Sequence, residues 1–373
     1  MEVVTASKYI AAAVAPVLDA RGREYLVIVG KSTWQIPRPG QRPRPQAAQP
    51  FVESDSYVGE PGLSALRCSD DFARFKPRCD VVFDACAHAP RGEAVTELGV
   101  GFRVGPLAKA LRVVGPRQWR RTLAGYQLGP PSAFVTLPLH LGFAHGGSRT
   151  YPGRDRQPLT DAYSDNPVGI GWMSRLSNET IDGMPAASLE DIADPITQPQ
   201  HPHRPVTLGA IGRQWPSRQR FAGTSDDHWQ RNVFPFLPED FDEQYFQSAP
   251  EDQQMDFPRG GEAVKLINLD PEYPQLEFQL PPLVLPVRVL RRNYRSDLLD
   301  ARADTVFFET EARRFSVVWR TQVPIARHVS EFELIALGDV DADWWRSRAL
   351  GLDESCADCD KRDAFARREL PFP

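Results

Sequence analysis

The chain has 373 residues, 41% of them apolar, with 44 Lys and Arg against 49 Asp and Glu for a formal net charge of −5. That length exceeds what a single hydrophobic core usually fills, so two domains, or one large β domain with elaborations, are expected. The mildly acidic balance argues against nucleic acid or an anionic membrane as partner, and no stretch approaches the roughly 20 apolar residues of a membrane span.

Composition narrows the class further. The 35 prolines are close to twice the usual share of roughly 5%, and they point to loops and strand edges rather than bundled helices. Five cysteines is an odd count, with Cys68, Cys79 and Cys86 among strand-like residues. That suits a reducing compartment better than a disulfide framework, so the cytoplasm is the expected location. The short apolar run after Lys8 is interrupted by Pro16 and reads as a first strand rather than a signal peptide.

The first block, residues 1–143, reads as β throughout. Residues 25–30 are β-branched and apolar after an Arg-Gly turn, the composition of a strand. Residues 37–50 hold five prolines and form a loop. Residues 79–88 make a further strand that ends at the turn chemistry of Ala89-Pro-Arg-Gly92. Residues 94–104 and 107–114 flank Gly105-Pro106 and predict a hairpin.

The second block, residues 144–262, loses regular periodicity, while Gly, Pro, Asp and Asn multiply. So long an irregular stretch is uncommon in a compact domain and is usually functional or disordered. The third block, residues 263–330, restores β patterning with short strands at 264–269, 275–280, 283–290, 305–309 and 314–320. The cadence predicts a mainly β protein: an antiparallel sandwich or barrel-like sheets with long irregular loops. In the tail, residues 331–373, helices are expected at 332–337 and 344–350, packing on the sheet.

The stretch from 208 to 262 stands out. Its aromatics, Trp215, Phe221, Trp229, Phe234, Phe236, Phe241, Tyr245 and Phe246, argue against disorder, because disordered segments are poor in them. Between Asp226 and Asp256 there are nine Asp or Glu and one Arg, so apolar anchors alternate with hydrogen-bond acceptors. Such a segment either latches parts of the fold together or presents a surface to a partner. Interface cores favour Trp, Tyr, Phe and Arg. The candidate partner contacts are Trp215, Trp229, Phe236, Phe241 and Tyr245, with the acids Asp226, Asp240 and Asp252.

Catalytic signatures are missing. Gly99-Val-Gly101 with Gly105 lacks the spacing and following helix of a phosphate loop. No GxSxG elbow is present. Carboxylate pairs occur at Asp226/Asp227, Glu239/Asp240/Asp242 and Glu251/Asp252, but a glycosidase needs two facing each other across a cleft, and acids in Pro-rich coil more often cap turns or bind Arg. The Cys356-Ala-Asp-Cys359 pair would need two more ligands to hold zinc. His201-Pro-His203 could supply them through the fold, though a pair of reduced thiols is the expectation. No cofactor, no metal and no catalysis are therefore expected, with a carboxylate-dependent hydrolase as the alternative.

A series of segments in fixed order resembles a bacterial family known as domain of unknown function 2169. The matching pieces include Phe75-Lys-Pro77, Gly115-Pro-Arg-Gln-Trp119, Phe143-Ala-His-Gly-Gly147, Asn166-Pro-Val-Gly-Ile-Gly171, Ile211-Gly-Arg-Gln-Trp215, Phe221-Ala-Gly-Thr224 with Asp226 and Trp229, Leu237-Pro-Glu-Asp-Phe241, Ala249-Pro-Glu-Asp-Gln-Gln254 and Arg259-Gly-Gly-Glu262. They run from about Lys8 to Ile325. His145 stands where the family usually has an aromatic, and Gly115-Pro-Arg-Gln-Trp119 departs from Gly-Asp-Arg-Trp. Membership implies a cytoplasmic adaptor or chaperone, without catalysis, that binds a type VI secretion effector, a toxin that in some cases carries a PAAR region. It would help load that effector onto the trimeric VgrG spike. A structural part of the secretion apparatus is the further alternative.

Overall fold

The computed structural model describes residues 1–123, 125–152, 158–174 and 181–350. Cys356 and Cys359 lie outside the described residues. In chain order the strands of the two large sheets are β1 (Glu2–Thr5), β2 (Ala11–Leu18), β3 (Glu24–Gln35), β4 (Arg44–Gln46), β5 (Cys79–Asp84), β6 (Glu97–Val104), β7 (Leu107–Val114) and β8 (Leu189–Glu190). They continue with β9 (Gln254–Met255), β10 (Ala263–Ile267), β11 (Gln275–Gln279), β12 (Leu285–Arg291), β13 (Ser296–Glu309), β14 (Arg314–Pro324) and β15 (Phe332–Leu337).

The fold is mainly β, with a nearly closed, barrel-like sheet and few short helices. The larger sheet follows the order β1-β15-β12-β13-β14-β3-β2, with β5 beside β13, β9 beside β5 and β4 beside β3. The smaller runs β8-β7-β6-β10-β11. Strands from before residue 143 and after residue 263 thus interleave in both sheets. β3 pairs antiparallel with β14 from Tyr25 opposite Pro324 to Gln35 opposite Arg314. β5 and β13 run parallel, with Phe83 opposite Phe308.

Side-chain alternation explains why these segments settle as strands. In β11, Leu276 and Phe278 point inward while Gln275, Glu277 and Gln279 face solvent, as the two-residue period of an extended chain requires. β5 is buried almost throughout, Asp80 included, because it lies inside the sheet between β13 and β9 with helical and coil segments over it. The main core fills the space between the sheets. Phe83 joins them: its ring centroid is 4.6 Å from that of Phe102 on β6 and 4.8 Å from that of Phe308 on β13. Truncating such a side chain to Ala typically costs about 3–5 kcal/mol.

The tail corrects one expectation. Residues 332–337 form β15, not a helix, inserted between β12 and the parallel β1. A six-residue segment that is apolar except at Glu333 carries no decisive period, and flanking strands decide its conformation. The second expected helix is present as Ala342–Ala349, capped by Asp341, whose side chain accepts from the amides of Asp343 and Trp344.

Two of the glycine-rich segments meet directly. His145–Gly146 pairs parallel with Ile170–Gly171, and Asn166 donates through Nδ2 to the carbonyls of Leu141 and His145 at 2.9 and 3.0 Å. A Cβ on Gly146, where φ is +148°, would lie 2.1 Å from the Asn166 carbonyl oxygen. Only glycine permits that approach.

Candidate partner-binding site

The irregular segment after residue 208 divides into a base and a tip. Its base is held by buried polar groups. Asp80 on β5, fully buried, accepts from Lys76 Nζ at 2.9 Å, Gln247 Nε2 at 2.6 Å and the Ser248 amide at 2.8 Å. The buried Gln253 donates to the carbonyls of Val81 and Leu208 at 2.8 and 2.9 Å. Each contact satisfies a group whose isolation in the interior would cost free energy. Gln254–Met255 then joins β5 as the short strand β9.

Trp215 and Arg218 complete the base. Trp215 is 2% exposed and belongs to the main core. Gly212 makes room for its ring, since a Cβ there would sit 2.6 Å from the indole. Arg218, on the short helix α1 (Pro216–Gln219), is also 2% exposed. Its guanidinium donates to the Tyr245 carbonyl through Nε and Nη2 at 3.0 and 2.8 Å and to the Ile211 carbonyl at 2.9 Å. Burial lowers its pKa from the ordinary arginine value. Arg213 ties the same region to Asp55 and Asp70.

The tip, residues 224–238, lies on the surface. Asp226 caps the helix α2 (Asp227–Asn232) by accepting from the Trp229 amide at 2.9 Å. The Trp229 indole donates to the Phe236 carbonyl at 2.9 Å, and its ring meets Phe234 edge-to-face at 5.6 Å. The Phe234–Pro235 peptide bond is cis. Phe234 is 65% exposed and Phe236 40%. Phe236 leans on the turn between β2 and β3, where a Cβ on Gly22 would approach its ring to 3.1 Å. Phe241 and Tyr245 are half-buried, with ring contacts to each other at 5.7 Å and to Phe246.

The expected contacts therefore separate. Trp215 is corrected to a core residue: its indole is enclosed and offers no surface. Trp229 and Phe236 are at the exposed tip, while Phe241 and Tyr245 form the collar between tip and base. Asp226 is spent on its helix cap. Asp240 accepts from the Thr224 amide at 2.8 Å and hydroxyl at 2.7 Å, and these bonds lower its pKa. Asp252 bridges Lys109 at 2.8 Å and Arg204 at 2.9 Å. Several further acids follow suit: Asp227 faces Arg231 at 3.3 Å, Asp242 caps the Gln244 amide, Glu243 pairs with Arg74 and Glu251 with Arg220.

Sequence reasoning passed over Phe234, the most exposed aromatic of the tip. Its signal is Phe234-Pro-Phe236 directly after a capped helix too short to bury either ring. It also passed over Asp80, Arg218 and Gln253, which resemble ordinary surface polar residues until the fold encloses them.

Together these features define a mainly β scaffold carrying a clamped coil with an aromatic tip. The chain belongs to a bacterial family described as "Uncharacterized protein conserved in bacteria (DUF2169)", whose model matches residues 21–320. No curated protein and no solved structure matches it. Among the described residues, no helix is long and apolar enough to cross a membrane.

Proposed function

We propose that this chain is a cytoplasmic, non-catalytic adaptor that binds a type VI secretion effector and assists its loading onto the secreted VgrG spike, using the tip at residues 224–238 as its main contact. The observation that carries this reading is the pair Phe234 and Phe236, exposed at 65% and 40% on a tip whose backbone is already fixed. Holding apolar rings in place before binding lowers the ordering cost of association. Exposed aromatics beside a polar rim have the anatomy of an interface. The acids of the segment support a binding role over hydrolysis, because they serve largely as caps and ion pairs, and Asp240 is held in its charged form. Glu243, whose pKa burial raises, is itself held by Arg74.

The test is affinity purification from the native bacterium with mass spectrometry, comparing the wild-type chain with a Phe234→Ser/Phe236→Ser variant. Recovery of a toxin effector by the wild type, with or without the spike, and its loss in the variant at unchanged unfolding midpoint, is the expected result. Equal recovery by both, or no effector at all, overturns the reading. Appearance of the chain itself in the secreted fraction favours a structural component instead.

A further inference from the structure

On the other side of the glycine junction, three side chains with metal-ligating chemistry, Asp194, His201 and His203, converge, and the ring of a fourth, His145, packs against His203. His145, on the strand His145–Gly146, is 1% exposed, and neither ring nitrogen has a hydrogen bond of good geometry. Its ring meets Tyr163 at 5.3 Å and His203 at 5.1 Å, both edge-to-face. His203, buried, is 4.5 Å from the exposed ring of His201. His203 Nδ1 lies 2.9 Å from Asp194 Oδ1, and its Nε2 accepts a long 3.4 Å bond from the Thr197 amide. Ligand atoms of Asp194, His201 and His203 all fall within 4.8 Å of one another.

Local sequence accounts for the arrangement. In His201-Pro-His203 the proline fixes φ, and the His203 amide donates to the His201 carbonyl at 2.8 Å, closing a three-residue turn about Pro202 that brings the two rings together. Asp194 arrives from a turn closed by its own amide donating to the Asp191 carbonyl at 3.2 Å. Imidazole with carboxylate suits zinc among the common divalent ions. A tetrahedral zinc site holds its donors about 3.4 Å apart, given metal–ligand bonds of about 2.0–2.1 Å. Closing the present set is thus a side-chain adjustment. The buried His145 imidazole has only a poorly aligned approach to the His201 backbone, and a metal bond would offset the cost of that burial.

We propose that Asp194, His201 and His203 bind a divalent transition-metal ion of the zinc type, with His145 as the fourth donor from the buried side. The exposed His201 leaves a route for entry. The bound ion clips the loop at 191–203 onto the strand that carries His145, replacing the Asp194–His203 hydrogen bond by shared coordination.

The experiment uses the full chain, purified without a polyhistidine tag and carrying Cys356→Ser and Cys359→Ser so that the thiol pair contributes nothing. Titration with cobalt(II) is followed by visible absorption. One equivalent should bind with the intense spectrum of tetrahedral cobalt and be displaced by zinc(II). His201→Ala, at an exposed position, and Asp194→Asn should each weaken binding by at least about 10-fold while leaving the far-ultraviolet circular dichroism unchanged. A spectrum no stronger than that of hydrated cobalt, or equal affinity in the parent and the His201→Ala variant, would overturn the proposal.

Discussion

Base and tip of the irregular segment each place a tryptophan at a short helix, with opposite fates. Trp215 directly precedes α1 and Trp229 lies within α2, yet one is in the core and the other is half-buried at the surface. What separates them is the scaffold around each. Gly212 clears a place for the indole of Trp215, and Arg218 fastens the neighbouring chain through three hydrogen bonds to carbonyls. Trp229 instead finds its partners within the tip, in the Phe236 carbonyl and the Phe234 ring. An aromatic that satisfies itself locally is left available to another molecule, whereas one that completes the core is not.

That contrast breaks most visibly at Asp80. Asp80→Ala strands Lys76 in the interior and releases Gln247 and Ser248, so a loss of about 3–5 kcal/mol is expected, measured by urea unfolding. A change below 1 kcal/mol, in the same range as surface substitutions, would mean that the base does not depend on this anchor. Trp215→Ala should cost a comparable amount, about 3–5 kcal/mol, and lower the unfolding midpoint regardless of any partner.

At the glycine junction, Gly146→Ala sets a Cβ against the Asn166 carbonyl. A loss of about 1–3 kcal/mol is expected from overpacking and backbone strain, read from the same unfolding curves. The tip behaves differently. Phe234→Ser should stay within about 0.5 kcal/mol of the wild type, as exposed positions do, while reducing effector recovery. A large stability loss there would make the tip part of the core and remove the contrast.

The smallest effect concerns pH. Burial lowers the pKa of His140, whose Nδ1 accepts from the Gly142 amide. The unfolded chain therefore takes up that proton more readily than the folded one. The resulting stability is fully present above the ordinary histidine value of about 6.5 and declines as pH falls toward the lowered folded value. His140→Asn should flatten the slope of urea midpoint against pH in that window; an unaltered slope would show that His140 does not contribute.

Much of the scaffold was legible because strands advertise themselves through alternation and turn residues, as in Leu276 and Phe278 of β11 or the hairpin around Gly105. Residues 332–337 were not, since a short apolar run fits helix and strand equally and only the neighbouring strands choose. The segment at 208–262 announced its importance through its aromatics and acids but not its division. Gly212 three residues before Trp215 hints at an enclosed ring, and Asp226 three residues before Trp229 at a capped surface helix. Neither hint reveals that Asp252 would meet Lys109, more than a hundred residues away in sequence. His201-Pro-His203 was visible as a ligand pair, whereas Asp194 and the buried His145 came into view only when the fold placed them beside it.

The most direct test of the division is hydrogen exchange, read by mass spectrometry, on the free chain and on its complex with the recovered effector. Amides at 227–237 should exchange more slowly in the complex than in the free chain, while those at 247–255 stay slow in both. Unchanged exchange at 227–237, with new protection along an outer strand such as β11, would contradict the account and move the contact to the sheet edge.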